Sequence, residues 1–236
     1  MPGRAETDDV RWGLGDAALG FAAANVIAIL LTPLAYWLTG EPSTTPLSEA
    51  PLSTVALIQA AYAGSMLAAA LAVSRRKGRG PIVDFRIRMR WIDVPLGVVL
   101  GVVTQYGTAL LYVPVIRWTS VTSQELEKPA RELTDRAHGG GVLLLFIVVA
   151  VLAPIVEEIF FRGLVLRSLE RRMSTNWAIV ASAALFGAAH LEPLQFPALF
   201  VFGLVAAILA TRTGRLGPGI WAHVAFNAVA VLSLLQ

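Results

Sequence analysis

Apolar residues fall in long blocks separated by short polar or basic stretches. Seven blocks, 14–38, 54–74, 94–116, 141–166, 176–191, 195–211 and 217–235, reach or nearly reach spanning length, since a hydrocarbon core of about 30 Å needs roughly 20 helical residues. The fifth is short, and Leu191-Glu192-Pro193 would break it inside the membrane. Broken backbone at that depth is tolerated only where it is buried in protein or lines a water cavity. The pattern predicts an all-α, polytopic transmembrane bundle of about seven helices with a short or broken fifth helix. Loop 40–52 is rich in Pro, Ser and Thr and reads as an extramembrane turn region. Gly139-Gly140-Gly141 punctuates the start of the fourth block, and Gly97-x-x-x-Gly101 allows close helix contact.

Composition agrees. Of 236 residues, 56% are hydrophobic and 15% charged, and the mean hydropathy is +0.67, outside the range of an ordinary soluble domain. The pI near 9.7 does not imply nucleic acid, because the basic residues flank apolar blocks as topology signals do. There are no cysteines, which excludes disulfides, thiolate zinc sites and thiol nucleophiles. The first apolar run is too long for a signal-peptide core and lacks a clear cleavage site, so it reads as a retained span. With the N-terminus cytoplasmic and seven crossings, only Arg117, Lys128, Arg131 and Arg136 of the 19 basic residues lie outside; Arg4 and the rest lie inside. That bias places the N-terminus in the cytoplasm and the C-terminus outside. Phe85-Arg86-Ile87-Arg88-Met89-Arg90-Trp91 alternates apolar and basic and reads as an interfacial segment, arginines at phosphates and apolar side chains in the acyl boundary.

Polar residues within the apolar blocks carry the chemistry. Glu157 and Glu158 stand side by side in Ala153-Pro154-Ile155-Val156-Glu157-Glu158-Ile159-Phe160-Phe161-Arg162-Gly163. A charge in hydrocarbon costs roughly 2.5–3.5 kcal/mol on insertion scales, so the pair needs partners or a task. Arg162 follows Glu158 at i+4, the favourable ion-pair order on a helix, which leaves Glu157 free about 100° around the helix. Phe186-x-x-x-His190 and His223-x-x-x-Asn227 follow, each with both side chains on one helix face. A hairpin at Met173-Ser174-Thr175 would set Glu157 opposite His190, with Ser174 or Thr175 capping the next helix, and would carry Arg167, Arg171 and Arg172 into headgroups. A carboxylate and an imidazole on one water form a general-base assembly. His223 and Asn227 could donate to a developing oxyanion. Zinc is the competing account, with Glu157, His190 and His223 as ligands around an open position; H-E-x-x-H is absent, and the reading leans to metal-free Glu/His catalysis with no cofactor.

These three motifs, in this order on successive spans, resemble those of the CPBP family, the CAAX-protease and bacteriocin-processing or Abi group, whose best-known branch is the type II CAAX prenyl endopeptidase. The resemblance covers about residues 141–236, the expected catalytic core; residues 1–140 resemble the family only as N-terminal transmembrane helices and loops. It implies an intramembrane endopeptidase in which Glu157 and His190 activate water, His223 and Asn227 form the oxyanion hole, and Glu158, Arg162 and Phe186 support the site. Older descriptions of the family call it a metalloprotease and later ones a glutamate-dependent protease. The implied partners are the lipid bilayer and a protein or peptide substrate, lipid-modified ones included, and no nucleic acid. The compact form points to a bacterial plasma membrane. A non-catalytic scaffold or bacteriocin-immunity factor on the same fold is the alternative, and a proton-coupled transporter the third.

Overall fold

The computed structural model describes residues 10–235; Arg4, counted above with the inner basic residues, and Gln236 lie outside the described residues. Every regular element among the described residues is helical. In chain order these are α1 (Leu14–Thr39), α2 (Leu52–Lys77), the single turn α3 (Pro81–Asp84), α4 (Asp93–Trp118), α5 (Ser123–Thr134), α6 (Gly140–Glu170), α7 (Thr175–Ala189), α8 (Phe196–Thr213) and α9 (Gly217–Leu234). Six of them, α1, α2, α4, α6, α8 and α9, are long and apolar enough to cross a membrane. The chain is a multi-pass helical membrane protein, as the block pattern predicts.

The fifth expected span is α7, and its 15 residues cover about 22 Å at 1.5 Å per residue, short of a full crossing. It stops at Ala189, and Leu191 takes a left-handed φ of 56°, a conformation a leucine side chain resists. The break is braced from α4. Tyr112 Oη donates to the Leu194 carbonyl at 2.7 Å and accepts the Ala198 N–H at 3.3 Å, which satisfies one of the orphan donors in the first turn of α8.

Helix α6 is 31 residues long and is not a uniform α-helix. It widens into π winding at Phe146–Leu152 and again at Glu158–Val165, on either side of the α-helical turn Ala153–Glu157. Pro154 removes a donor and crowds the carbonyl four residues back, which accounts for a wide stretch just before it. Nothing comparable announces the second stretch, which begins at one of the paired glutamates; π turns gather at functional sites.

Close helix contact is made where the glycines allow it. A Cβ on Gly97 would stand 2.5 Å from Trp221 Cβ, and one on Gly101 would stand 2.2 Å from the Ala222 carbonyl oxygen. Helix α4 therefore backs α9 on the face away from His223 and Asn227.

At the end of the bundle that gathers Lys77, Arg171 and Arg215, the segment 78–93 works as a strap. The buried Asp84 carboxylate accepts Trp12 Nε1 at 3.2 Å, Ser74 Oγ at 2.5 Å and the Arg79 N–H at 3.1 Å. Phe85 is fully buried against Gly163, the residue after Arg162. The carbonyls of Arg86 and Arg88 accept Leu216 and Gly217 N–H, each at 3.2 Å. Buried Asp93 holds Arg215, the shortest contact being 2.6 Å. One loop thus pins α6 beside its acidic pair and α9 at its start.

Three expectations change here. Arg86, Arg88, Arg90, Met89 and Trp91 are exposed, as an interfacial segment requires, but Phe85 has left the acyl boundary for the core. Arg167 pairs with Glu170 at 2.7 Å and donates to the Ala210 carbonyl at 3.0 Å. Arg171 donates to the Val10 and Trp12 carbonyls and stacks over the Trp12 ring. Both are engaged by protein rather than by headgroups, because buried backbone acceptors need donors. Ser174 occupies the N-cap of α7, yet its side chain makes no capping bond.

Candidate active site

Four helices supply the polar cluster. Helix α6 contributes Glu157, Glu158 and Arg162; α7 contributes Phe186 and His190; α8 contributes Phe202 and the Gly203 carbonyl; α9 contributes His223 and Asn227. Glu158 and Arg162 are wholly buried, and Arg162 Nη1 donates to Glu158 Oε1 at 2.8 Å. The pairing expected from the i, i+4 spacing is therefore present. Arg162 Nη2 reaches the Gly203 carbonyl at 3.3 Å, and its guanidinium lies over the Phe186 ring at 4.4 Å. A cation this far from water is held by a carboxylate, a carbonyl and an aromatic face together.

The same Glu158 Oε1 stands 3.0 Å from His223 Nδ1. A carboxylate only accepts, so Nδ1 carries the proton and His223 Nε2 is turned the other way. There it meets Glu157 Oε2 at 3.6 Å. The His223 ring is clamped by Phe202, with centroids 4.4 Å apart, and by Phe186 at 5.5 Å. Glu157 retains some exposure, 19% of its side chain, whereas Glu158 has none. Adjacent carboxylates thus have different surroundings, one locked to Arg162 and one facing an imidazole.

His190 stands on the other side of Phe186, ring centroids 4.9 Å apart. Its Nδ1 lies 2.9 Å from the Phe186 carbonyl, an acceptor, so this ring also carries its proton on Nδ1 and presents Nε2. Among the described residues Glu157 and His190 form no direct hydrogen bond or ion pair; the imidazole nearest Glu157 is His223. Asn227 shares a helix face with His223, and its Nδ2 donates to the Val149 carbonyl of α6 at 2.9 Å. That bond uses one of two amide N–H groups and fixes the side chain.

The zinc account fares differently. Among the described residues no three His, Cys, Asp or Glu side chains are grouped to hold a metal ion. The Phe186 ring packs against both the His190 and His223 imidazoles.

Sequence reasoning passed over Phe202, Gly203 and Gly219. A Cβ on Gly203 would stand 2.9 Å from Ala183 Cα, and one on Gly219 would stand 3.0 Å from Glu158 Oε2. An isolated glycine in an apolar helix was the available signal; it marks a close approach but not what approaches.

Comparison with known proteins adds a resemblance over part of the chain. Residues 139–229 match the family described as Type II CAAX prenyl endopeptidase Rce1-like. A Bacillus subtilis (strain 168) protein named "Putative membrane peptidase YdiL" is 30% identical over 95 residues, which cover 40% of this chain and 39% of that one. An Escherichia coli protein named "Uncharacterized 24.3 kDa protein" is 29% identical over 159 residues, 63% of this chain and 73% of that one. The match spans about two fifths of the length of the first of these relatives. No solved structure matches the chain. The resemblance read from the motifs holds over residues 139–229, where Glu157, Glu158, Arg162, Phe186, His190, His223 and Asn227 all lie within a stretch similar to the Rce1-like type II CAAX prenyl endopeptidases.

Proposed function

We propose that the chain is an intramembrane endopeptidase that cleaves peptide bonds of membrane-associated proteins or peptides with water activated by Glu157 and a histidine. The observation that carries this reading is the double engagement of His223, with Nδ1 on Glu158 and Nε2 facing Glu157. A bundle this apolar has no packing reason to gather two carboxylates, a guanidinium and an imidazole, and ionisable groups within spans mark functional sites.

Glu157, the less enclosed carboxylate, takes a proton from a water that His190 Nε2 also holds. The water oxygen bonds to the scissile carbonyl carbon. The C–N bond then breaks, and the proton passes from Glu157 to the departing amine. Proton transfer of this kind contributes typically 10²–10⁴-fold. Asn227 supplies its remaining N–H to the oxyanion. His223, held through Nδ1 by Glu158, turns Nε2 toward the same site and donates from it to the oxyanion when that nitrogen carries a proton. One oxyanion donor is worth about 2.7–4 kcal/mol in the transition state. Glu158 and Arg162 hold His223 in place, and the reaction uses no cofactor. The assignment runs with the N-terminus in the cytoplasm of a bacterial plasma membrane and the site in the cytoplasmic half.

The test is cleavage by the purified chain in proteoliposomes. Glu157→Gln and His190→Ala each abolish it with the protein still inserted. Persistence of the cellular phenotype in both variants would favour a scaffold or immunity role instead.

A further inference from the structure

A groove of about 450 Å³ runs between α7 and α8, away from the polar cluster. Its walls are Ile179 and Val180 of α7 and Leu204 and Ile208 of α8. Its polar end is made by Thr175, Asn176 and Arg212. Thr175 opens α7 and Arg212 lies in the last turn of α8, so this end belongs to the basic end of the bundle. From Leu204 to Arg212 the groove covers about 12 Å at 1.5 Å per residue, less than half of a hydrocarbon core of about 30 Å. The groove lies within one leaflet, polar at the headgroups and apolar toward the midplane.

Arg212 differs from Arg162, Arg167, Arg171 and Arg215, which the protein engages. Arg162, Arg167 and Arg215 are held by Glu158, Glu170 and Asp93, and Arg171 by backbone carbonyls. Arg212 is exposed and makes no hydrogen bond or ion pair among the described residues. A planar guanidinium of this kind matches a phosphate through paired N–H donors. We propose that the groove binds one anionic phospholipid of the surrounding bilayer. Its phosphate sits at Arg212 with Thr175 and Asn176, and one acyl chain lies along Ile179, Val180, Leu204 and Ile208. A zwitterionic lipid brings its own ammonium to the phosphate and gains less from the cation. The bound lipid braces α7, the short helix that ends at His190, against α8. This inference does not depend on peptidase activity.

The experiment is native mass spectrometry of the full chain, delipidated in detergent and titrated with phosphatidylglycerol or phosphatidylcholine. The wild type binds one phosphatidylglycerol in preference to phosphatidylcholine. Arg212→Gln weakens phosphatidylglycerol about fivefold, the worth of one basic residue at an anionic surface, and leaves phosphatidylcholine unchanged. Val180→Trp, at an exposed wall position, fills the groove and weakens both. Arg75→Gln, which removes an exposed cation at the end of α2, changes neither. Equal phosphatidylglycerol binding by Arg212→Gln and wild type overturns the proposal. So does an equal loss in Arg75→Gln, which would mark diffuse attraction rather than a site.

Discussion

His223 Nδ1 lies 3.0 Å from Glu158 Oε1, the same oxygen that accepts Arg162 Nη1 at 2.8 Å. One carboxylate oxygen therefore links α6 to α9, and the side chains involved are at most 3% exposed. Removing one member strands the others in the interior. Arg162→Ala should lower stability by about 3–5 kcal/mol, the usual cost of breaking a buried pair from one side. Arg162→Lys should recover little, because an ammonium lacks the planar fork that reaches Glu158 and the Gly203 carbonyl together. Thermal unfolding of the detergent-solubilised variants measures both.

The strap makes a separate prediction. A Cβ on Gly163 would lie 2.8 Å from Phe85 Cβ, so Gly163→Ala should cost about 1–3 kcal/mol by overpacking. The clash is with Phe85 Cβ and Cγ, so Phe85→Gly, which removes both, should make the second substitution much cheaper. A double-mutant cycle on thermal stability reads this coupling; additive effects would mean that Phe85 does not bear on Gly163.

Orientation can be tested cleanly because the chain has no native cysteine. Arg88 and Lys128 are exposed at positions the charge bias assigns to opposite sides. A membrane-impermeant maleimide added to intact cells should label Lys128→Cys, and should label Arg88→Cys only after permeabilisation. The reverse pattern would place the N-terminus outside.

At the start of α5, the Thr122 N–H and hydroxyl donate to Glu125, while the Glu125 N–H bonds back to the Thr122 hydroxyl. The Thr122 N–H and, next, its hydroxyl hold the Glu125 carboxyl below its ordinary value of 4.5. A depressed carboxyl stabilises the folded helix end above that ordinary value, and the contribution fades as pH falls through the folded-state value. Amide exchange in the first turn of α5, corrected for intrinsic rates, should therefore quicken as pH falls below the ordinary carboxyl value of 4.5. Thr122→Ala keeps the backbone N–H and should only weaken that dependence, whereas Glu125→Gln should remove it.

Helix α5 also shows what the sequence held unread. Thr122-x-x-Glu125 is a capping box, but a short amphipathic helix leaves no mark in a pattern of bilayer-length apolar blocks. The long helices were legible for the complementary reason: an apolar run in a membrane has few alternatives to a helix. The break after α7 was legible from Leu191-Glu192-Pro193. The π winding of α6 was not, and it bears on the site. Setting Glu157 opposite His190 requires uniform rise and rotation on both arms of the hairpin. In the folded chain α6 changes pitch at Glu158, and His190, at the end of α7, bonds to its own helix. Residue types announced that Glu157, Glu158, His190, His223 and Asn227 were unusual. Which imidazole faces which carboxylate depends on helix rotation, and on aromatic packing by Phe186 and Phe202 that no spacing encodes.

The central claim is that Glu157 activates water for amide hydrolysis. The direct measurement is cleavage of a membrane-protein substrate in proteoliposomes made in ¹⁸O-labelled water, with the new C-terminus read by mass spectrometry. The account predicts one ¹⁸O in the new carboxyl group with the wild type and no product with Glu157→Gln of equal stability. The same labelled product at the same rate from Glu157→Gln would contradict it.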